Sequence, residues 1–406
     1  MRFERPVVPA RPKRAARLQR GSGVTELRGL LLLAGELVPG VLSLEAGRIK
    51  AVQPGALDPD EEPCIIAPGL IDLHIHGFGL REPLSDLAGM AQALARAGTT
   101  AFQPTLFPAA PSRLGEDCEA VWSARGKLPG DAADPVGLHL EGPFVNPDAA
   151  GALPRGDLAL PSLRALGEIL GSATGDARGV RTVTVAPELA GADLLIAELV
   201  RLGVRVSLGH SRALAIEARA ATRAGASGVT HLYNAMGGAT HRRAGLAGLA
   251  LTEDVLFAEI IGDLVHVERE AFDLALRARG PEGLCLVSDA LAGAGTGCER
   301  FEACGREHII QDGAAYYPVG PERAEPQLAG SALAQLEMVQ RLVAQGVLSL
   351  PEALTMASAT PARALGLEGE RGSLAAGLRA DLIVLEPESL VLREVWLAGK
   401  ALGTAS

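Results

Sequence analysis

The chain has 406 residues, 48% hydrophobic and 21% charged, so it can fill a large core and is not globally disordered. A formal charge of −10 and an aromatic content of 3% argue against nucleic acid or an anionic membrane surface as the main partner. No apolar run reaches the roughly 20 residues of a membrane-spanning helix.

Taken in order, the first 20 residues are basic and contain Pro6, Pro9 and Pro12, with no apolar stretch behind them. They predict a basic, frayed tail over 1–23 and no secretory signal. Residues 24–66 read as short strands, with a hairpin around Ala46 and Gly47. Residues 372–385 and 391–399 at the other end are also strand-like. Two β-rich ends, 24–67 and 371–406, flanking a large centre predict one split β-sandwich domain, since domain termini often lie together.

The centre, 68–370, alternates strand and helix patterns. Candidate strands are 70–76, 99–105, 136–141, 182–186, 204–210, 228–231, 258–261 and 284–289. Most are apolar or β-branched runs, as expected when both faces of a sheet are covered. Helical spacing fills 87–97, 193–202, 214–224 and 270–279. Eight such units predict an α/β fold, a (β/α)8 TIM-like barrel carrying the small β-domain. An open doubly wound sheet is the rival, but no glycine fingerprint or phosphate loop stands at a strand–helix junction. Five cysteines without CxxC spacing point to a reduced, cytoplasmic setting.

Polar residues close these strands: His74 and His76, Glu141, His210, His231 and Asp289. In a barrel the C-terminal strand ends share one rim, so the six would converge there. Residues i and i+2 of a strand face one way, so His74 and His76 can share an ion. Imidazole and carboxylate donors suit a divalent metal such as Zn, Fe, Co or Mn. Asp289 is then placed to take a proton from water and return it to a leaving group. Among the other histidines, His139 is expected to support the ligands, while His241 and His308 read as surface-loop residues.

The segments PGLIDLHIHG (68–77), HLEGPF (139–144), GHS (209–211), THLYNAM (230–236), VSD (287–289) and LAGS (328–331) stand in that order. With MASATPARALG (356–366) and ADLIV (380–384), they resemble the N-acetylglucosamine-6-phosphate deacetylases of the amidohydrolase superfamily. The resemblance implies a homodimeric enzyme that removes acetate from an amino sugar phosphate, its small-molecule partner. It implies that Glu141, His210 and His231 hold one ion, that His74 and His76 hold a second with Glu141 bridging, and that Asp289 is the general base and then acid. Ala152, Leu153, Asn234, Ala235, Leu328, Ala329 and Gly330 would contact the sugar phosphate. Arg242 and His266 would grip the phosphate from a neighbouring subunit.

The pattern breaks at Leu153, where the resemblance implies a histidine that polarises the acetamide carbonyl; Arg155 could take its place. Leucine donates no hydrogen bond, and one such donor is worth about 2.7–4 kcal/mol in a transition state. The alternatives that remain are another N-acyl substrate, such as N-acetylgalactosamine 6-phosphate, or a barrel without turnover that serves as a binding module.

Overall fold

The computed structural model describes residues 19–21, 23–57, 63–171, 177–303, 305–320 and 325–403. The basic segment expected over 1–23 lies outside them apart from 19–21 and 23, as does Cys304. Gln19–Gly21 pairs antiparallel with the strand that follows it.

Eight parallel strands form the centre: β1 (Leu70–Ile75), β2 (Thr99–Leu106), β3 (Leu138–Leu140), β4 (Val180–Val185), β5 (Arg205–Leu208), β6 (Gly228–Val229), β7 (Phe257–Ile261) and β8 (Leu284–Val287). Each pairs with the next in sequence. The ring closes just past the last strand, where Asp289 N donates to His74 O at 2.8 Å and His76 N to Ala290 O at 2.9 Å. Helices Pro83–Arg96, Pro111–Arg125, Leu163–Leu170, Ala192–Arg201, Ala215–Arg223, Gly245–Ala250, Arg269–Arg279 and Gln335–Ala344 follow the strands in turn. Their inward stripes, such as Leu166, Ile169 and Leu170, are buried against the barrel, each worth about 1.5–3 kcal/mol. The first helix becomes regular only after Asp86, whose φ of −156° breaks it. Among the described residues, no helix is long and apolar enough to cross a membrane.

Both chain ends meet in one mixed sheet. Val24–Leu33, Glu36–Glu45, Arg48–Pro54 and Ile65–Pro68 join Leu382–Leu385, Leu392–Leu397 and Lys400–Ala401. The sheet curls until Ile49 N reaches Leu378 O at 2.9 Å and Ala380 N reaches Gly47 O at 3.0 Å. It encloses its own core of Leu31, Leu42, Ile66, Leu382 and Trp396. Gly69 links sheet to barrel, and any side chain there would lie 2.2 Å from Thr100 Oγ1.

The barrel strands stop sooner than their sequence suggests. Strands β5, β6 and β8 each end two residues before His210, His231 and Asp289, because those three residues turn into the left-handed region, with φ of 46°, 30° and 47°. Such a conformation costs a non-glycine residue about 1–3 kcal/mol and concentrates at functional sites. A four-stranded antiparallel sheet, absent from the sequence reading, stands between β8 and the last barrel helix: Arg300–Ala303, Arg306–Gln311, Ala314–Tyr317 and Gln327–Ser331. Ser331 bridges Ala290, which anchors this sheet beside Asp289.

Candidate active site

All six strand-end residues converge at the C-terminal mouth of the barrel. Glu141 stands at the centre. Its Oε1 lies 2.9 Å from His210 Nε2 and 2.9 Å from His231 Nε2, and its Oε2 lies 3.1 Å from His76 Nε2. His74 Nε2 is 3.2 Å from His76 Nε2, and Asp289 Oδ1 is 3.4 Å from the first and 3.6 Å from the second. Among the described residues three groups of three donor atoms result: Glu141 with His210 and His231, His74 with His76 and Asp289, and His74 with His139 and Glu259. The spacing of His74 and His76 does what strand geometry predicts, and Phe107 stacks on the His76 ring at 3.9 Å and 7°.

The local backbone explains how these donor atoms are held. Gly209 leaves room at the turn before His210, where a Cβ would meet Thr230 Cβ at 2.8 Å. His210 Nδ1 donates to Ala149 O at 2.9 Å, which directs Nε2 inward. Glu188 secures the same turn, accepting from Ser211 Oγ at 2.7 Å and Asn146 Nδ2 at 2.8 Å. His139 Nε2 bonds Thr184 Oγ1 at 2.8 Å, and its ring packs 4.6 Å from His74. Burial pulls its pKa down to about 3, so it stays neutral. Asp72 accepts from Ser288 N at 3.1 Å and His74 N at 3.3 Å, tying β8 to β1.

Sequence reading passed over one carboxylate. Glu259, in the middle of β7, is fully buried and accepts from His74 Nδ1 at 3.2 Å. Arg205 lies 3.7 Å from its other oxygen. Its signal was a lone charge in an otherwise apolar barrel strand, FAEII.

The donor set fits a metal. Burial pushes the Glu141 carboxyl up, but His74, His210 and His231 outweigh it and hold it well below the usual range. Burial also opposes ionisation of Glu259, yet its bond to His74, with His139 and Arg205 nearby, brings it to about 2. Two carboxylates thus stay charged where water is excluded, and such charges need a cation beside them. His210 Nε2 and His231 Nε2 also stand 3.0 Å apart, both facing Glu141 Oε1. One proton cannot satisfy three converging acceptors, whereas one divalent ion can.

A cavity of about 160 Å³ opens above the cage. It is lined by Ala152, Leu153, Asn234, Ala235, His266, Leu328 and Ala329, with His76, Glu141, His210, His231 and Asp289 below. Gly330 follows Ala329, and a Cβ there would come within 2.9 Å of Asp289 O. Leu153 is 6% exposed and brings no donor to the site. Arg155 does not compensate; it is exposed on the turn Arg155–Asp157 and lines no part of this cavity.

Two expectations need correction. His266 faces the cavity of its own chain, because Asp263, buried at the end of β7, accepts from its Nδ1 at 2.6 Å and from its backbone N at 2.9 Å. Burial works against the charged imidazole, but Asp263 overcomes it and raises the His266 pKa. His308 is no surface-loop residue: it is buried on Arg306–Gln311, stacked on Phe301. Arg242 and His241 are exposed beyond the cavity.

Comparison with known proteins bears on the family and the fold. The amidohydrolase family matches residues 65–402. The chain is 32% identical over 382 residues to the N-acetylgalactosamine-6-phosphate deacetylase of Escherichia coli O157:H7, covering 93% of this chain and 98% of that protein. It is 35% identical over 355 residues to the N-acetylglucosamine-6-phosphate deacetylase of Bos taurus, covering 83% of each. Among solved structures, a mutant N-acetyl-D-glucosamine-6-phosphate deacetylase from Mycobacterium smegmatis, in complex with N-acetyl-D-glucosamine-6-phosphate, superposes with a TM-score of 0.82. It shares 31% identity and covers 94% of this chain and 99% of its own. The Thermotoga maritima deacetylase also gives 0.82, at 27% identity over 92% and 98% of the two chains.

Proposed function

The chain belongs to the amidohydrolase family, in the N-acetylglucosamine-6-phosphate deacetylase branch, and from that premise we propose that it hydrolyses N-acetylglucosamine 6-phosphate to glucosamine 6-phosphate and acetate. The observation that carries the reading is Glu141, whose two oxygens face two separate histidine sets at 2.9–3.1 Å beneath an open cavity. Glu141, His210 and His231 would hold one divalent ion, and His74 and His76 a second. A cation there lowers the pKa of water towards about 7 and polarises an amide carbonyl.

The chain's own residues supply the rest. Asp289, 9% exposed at the cavity floor, takes the proton of the attacking water and passes it to the amide nitrogen as the C–N bond breaks. Glu259 fixes the tautomer of His74 through Nδ1, so that Nε2 presents its lone pair to the cage. His266, its Nδ1 occupied by Asp263, offers the other ring nitrogen to a phosphate oxygen. Asn234 and the backbone around Ala235 orient the sugar. Arg242 reaches the phosphate only from a second copy of the chain, which makes the active form a homodimer.

The galactosamine epimer is the second reading, favoured by alignment with 98% of the length of the N-acetylgalactosamine-6-phosphate deacetylase. Acetate release from the two epimeric N-acetylhexosamine 6-phosphates, each beside its unphosphorylated sugar, tests both. We expect phosphorylated glucosamine substrate to give the higher kcat/KM. A preference for the galacto epimer replaces the substrate, and release from neither overturns the reading.

A further inference from the structure

A second cavity of about 370 Å³ adjoins the first, and Phe107, Ala152 and Ala329 line both. Pro108, Pro154, Leu291, two residues beyond Asp289, and Ala303 give it apolar lining, and Asp157 adds one carboxylate. His308, also in the lining, lies between Phe301 and Tyr317, 4.8 Å from each ring. Arg306 caps this stack, its guanidinium 5.4 Å from the Tyr317 ring. The groups that meet a sugar phosphate, Asn234 and His266, line the first cavity and not the second.

The carbon attacked in an amide carries two substituents besides its oxygen, the nitrogen and the acyl chain. With the sugar on nitrogen directed to Asn234 and His266, the acyl chain faces the wall formed by Phe107 and Ala329. Leu153 adds an apolar side chain to the lining of the first cavity. We propose that the second cavity is an acyl pocket, and that this protein cleaves N-acyl hexosamine 6-phosphates with straight-chain or aromatic acyl groups longer than acetyl. The inference rests on the deacetylase reading above. The chemistry is unchanged: the C–N bond breaks, the oxygen of water bonds to the acyl carbon, and the amine leaves with a proton. The products are the amino sugar phosphate and a longer carboxylate, and no further reactant is needed.

The test compares kcat/KM for the N-acetyl, N-butyryl, N-hexanoyl and N-benzoyl compounds, in whichever hexosamine 6-phosphate series the acetyl compound is cleaved. Burial of each added methylene favours the longer chains by up to about fourfold, so N-butyryl should match or exceed N-acetyl. Ala303 lines only the second cavity. Ala303→Leu should lower turnover of the hexanoyl and benzoyl substrates by about tenfold or more while acetyl turnover is kept. Ala303→Val should act in the same direction where leucine disturbs folding, which acetyl turnover itself reports. Cleavage of the acetyl compound alone overturns the acyl pocket and leaves the deacetylase standing. Equal loss on every substrate in a folded variant also overturns the pocket. Failure to cleave any member of the series overturns the deacetylase reading instead.

Discussion

At the floor of the cavity, His74, His76, Glu141, His210, His231 and Asp289 each bring a polar atom to within 2.9–3.6 Å of at least one other of the six. Along its wall, Ala152, Leu153, Ala235, Leu328 and Ala329 present small or apolar side chains, and only Asn234 and His266 bring polar ones. The floor comes from barrel strand ends that the closed ring holds in place. The wall comes from loops and from the sheet inserted after β8. The difference separates two tasks: a rigid polar cage fixes the chemistry, and a wall of replaceable loop residues selects what reaches it.

The sharpest way to break that division is to disable the floor while leaving its cation in place. Asp289→Asn should lower kcat by about 10²–10⁴-fold, with at least one metal equivalent retained by elemental analysis. Retention of most activity would remove Asp289 from proton transfer. A smaller effect is expected one layer down. Glu259→Gln should weaken metal affinity by about 10–100-fold, read by chelator competition, because His74 loses the acceptor that orients it. Unchanged affinity in a normally folded variant would show that Glu259 only balances the charge of Arg205.

Residues expected to meet the substrate should respond differently. Arg242→Ala should raise KM for the phosphorylated sugar by about 10–100-fold and leave an unphosphorylated analogue unaffected. Equal effects on both would contradict a phosphate contact. Leu153→His, the mildest change, should raise acetyl turnover by about tenfold or less, since it adds a donor beside the cage. A large loss would show that the loop depends on an apolar residue there.

The cage was legible because each ligand closes an apolar, β-branched run, and barrel topology sends every such end to one rim. The i, i+2 spacing of His74 and His76 still brings their Nε2 atoms to 3.2 Å, although β1 itself ends at Ile75. What escaped has physical causes. The strands end earlier than their sequence suggests because His210, His231 and Asp289 leave extended geometry; histidine and aspartate are enriched at positive φ, but the preference is too weak to place a strand end. Glu259 was hidden because its partner, the Nδ1 of His74, lies 185 residues away. His308 was misjudged because the inserted sheet buries it against Phe301, and its short strands alternate too weakly to show in the sequence.

The most direct test of the cation cage is acetate release from N-acetylglucosamine 6-phosphate by protein stripped with a chelator and then reloaded with zinc, iron or cobalt. Activity should vanish on stripping and return on reloading at one or two equivalents of metal. Full turnover by the thoroughly stripped protein would contradict the claim that these six side chains work by holding a divalent ion.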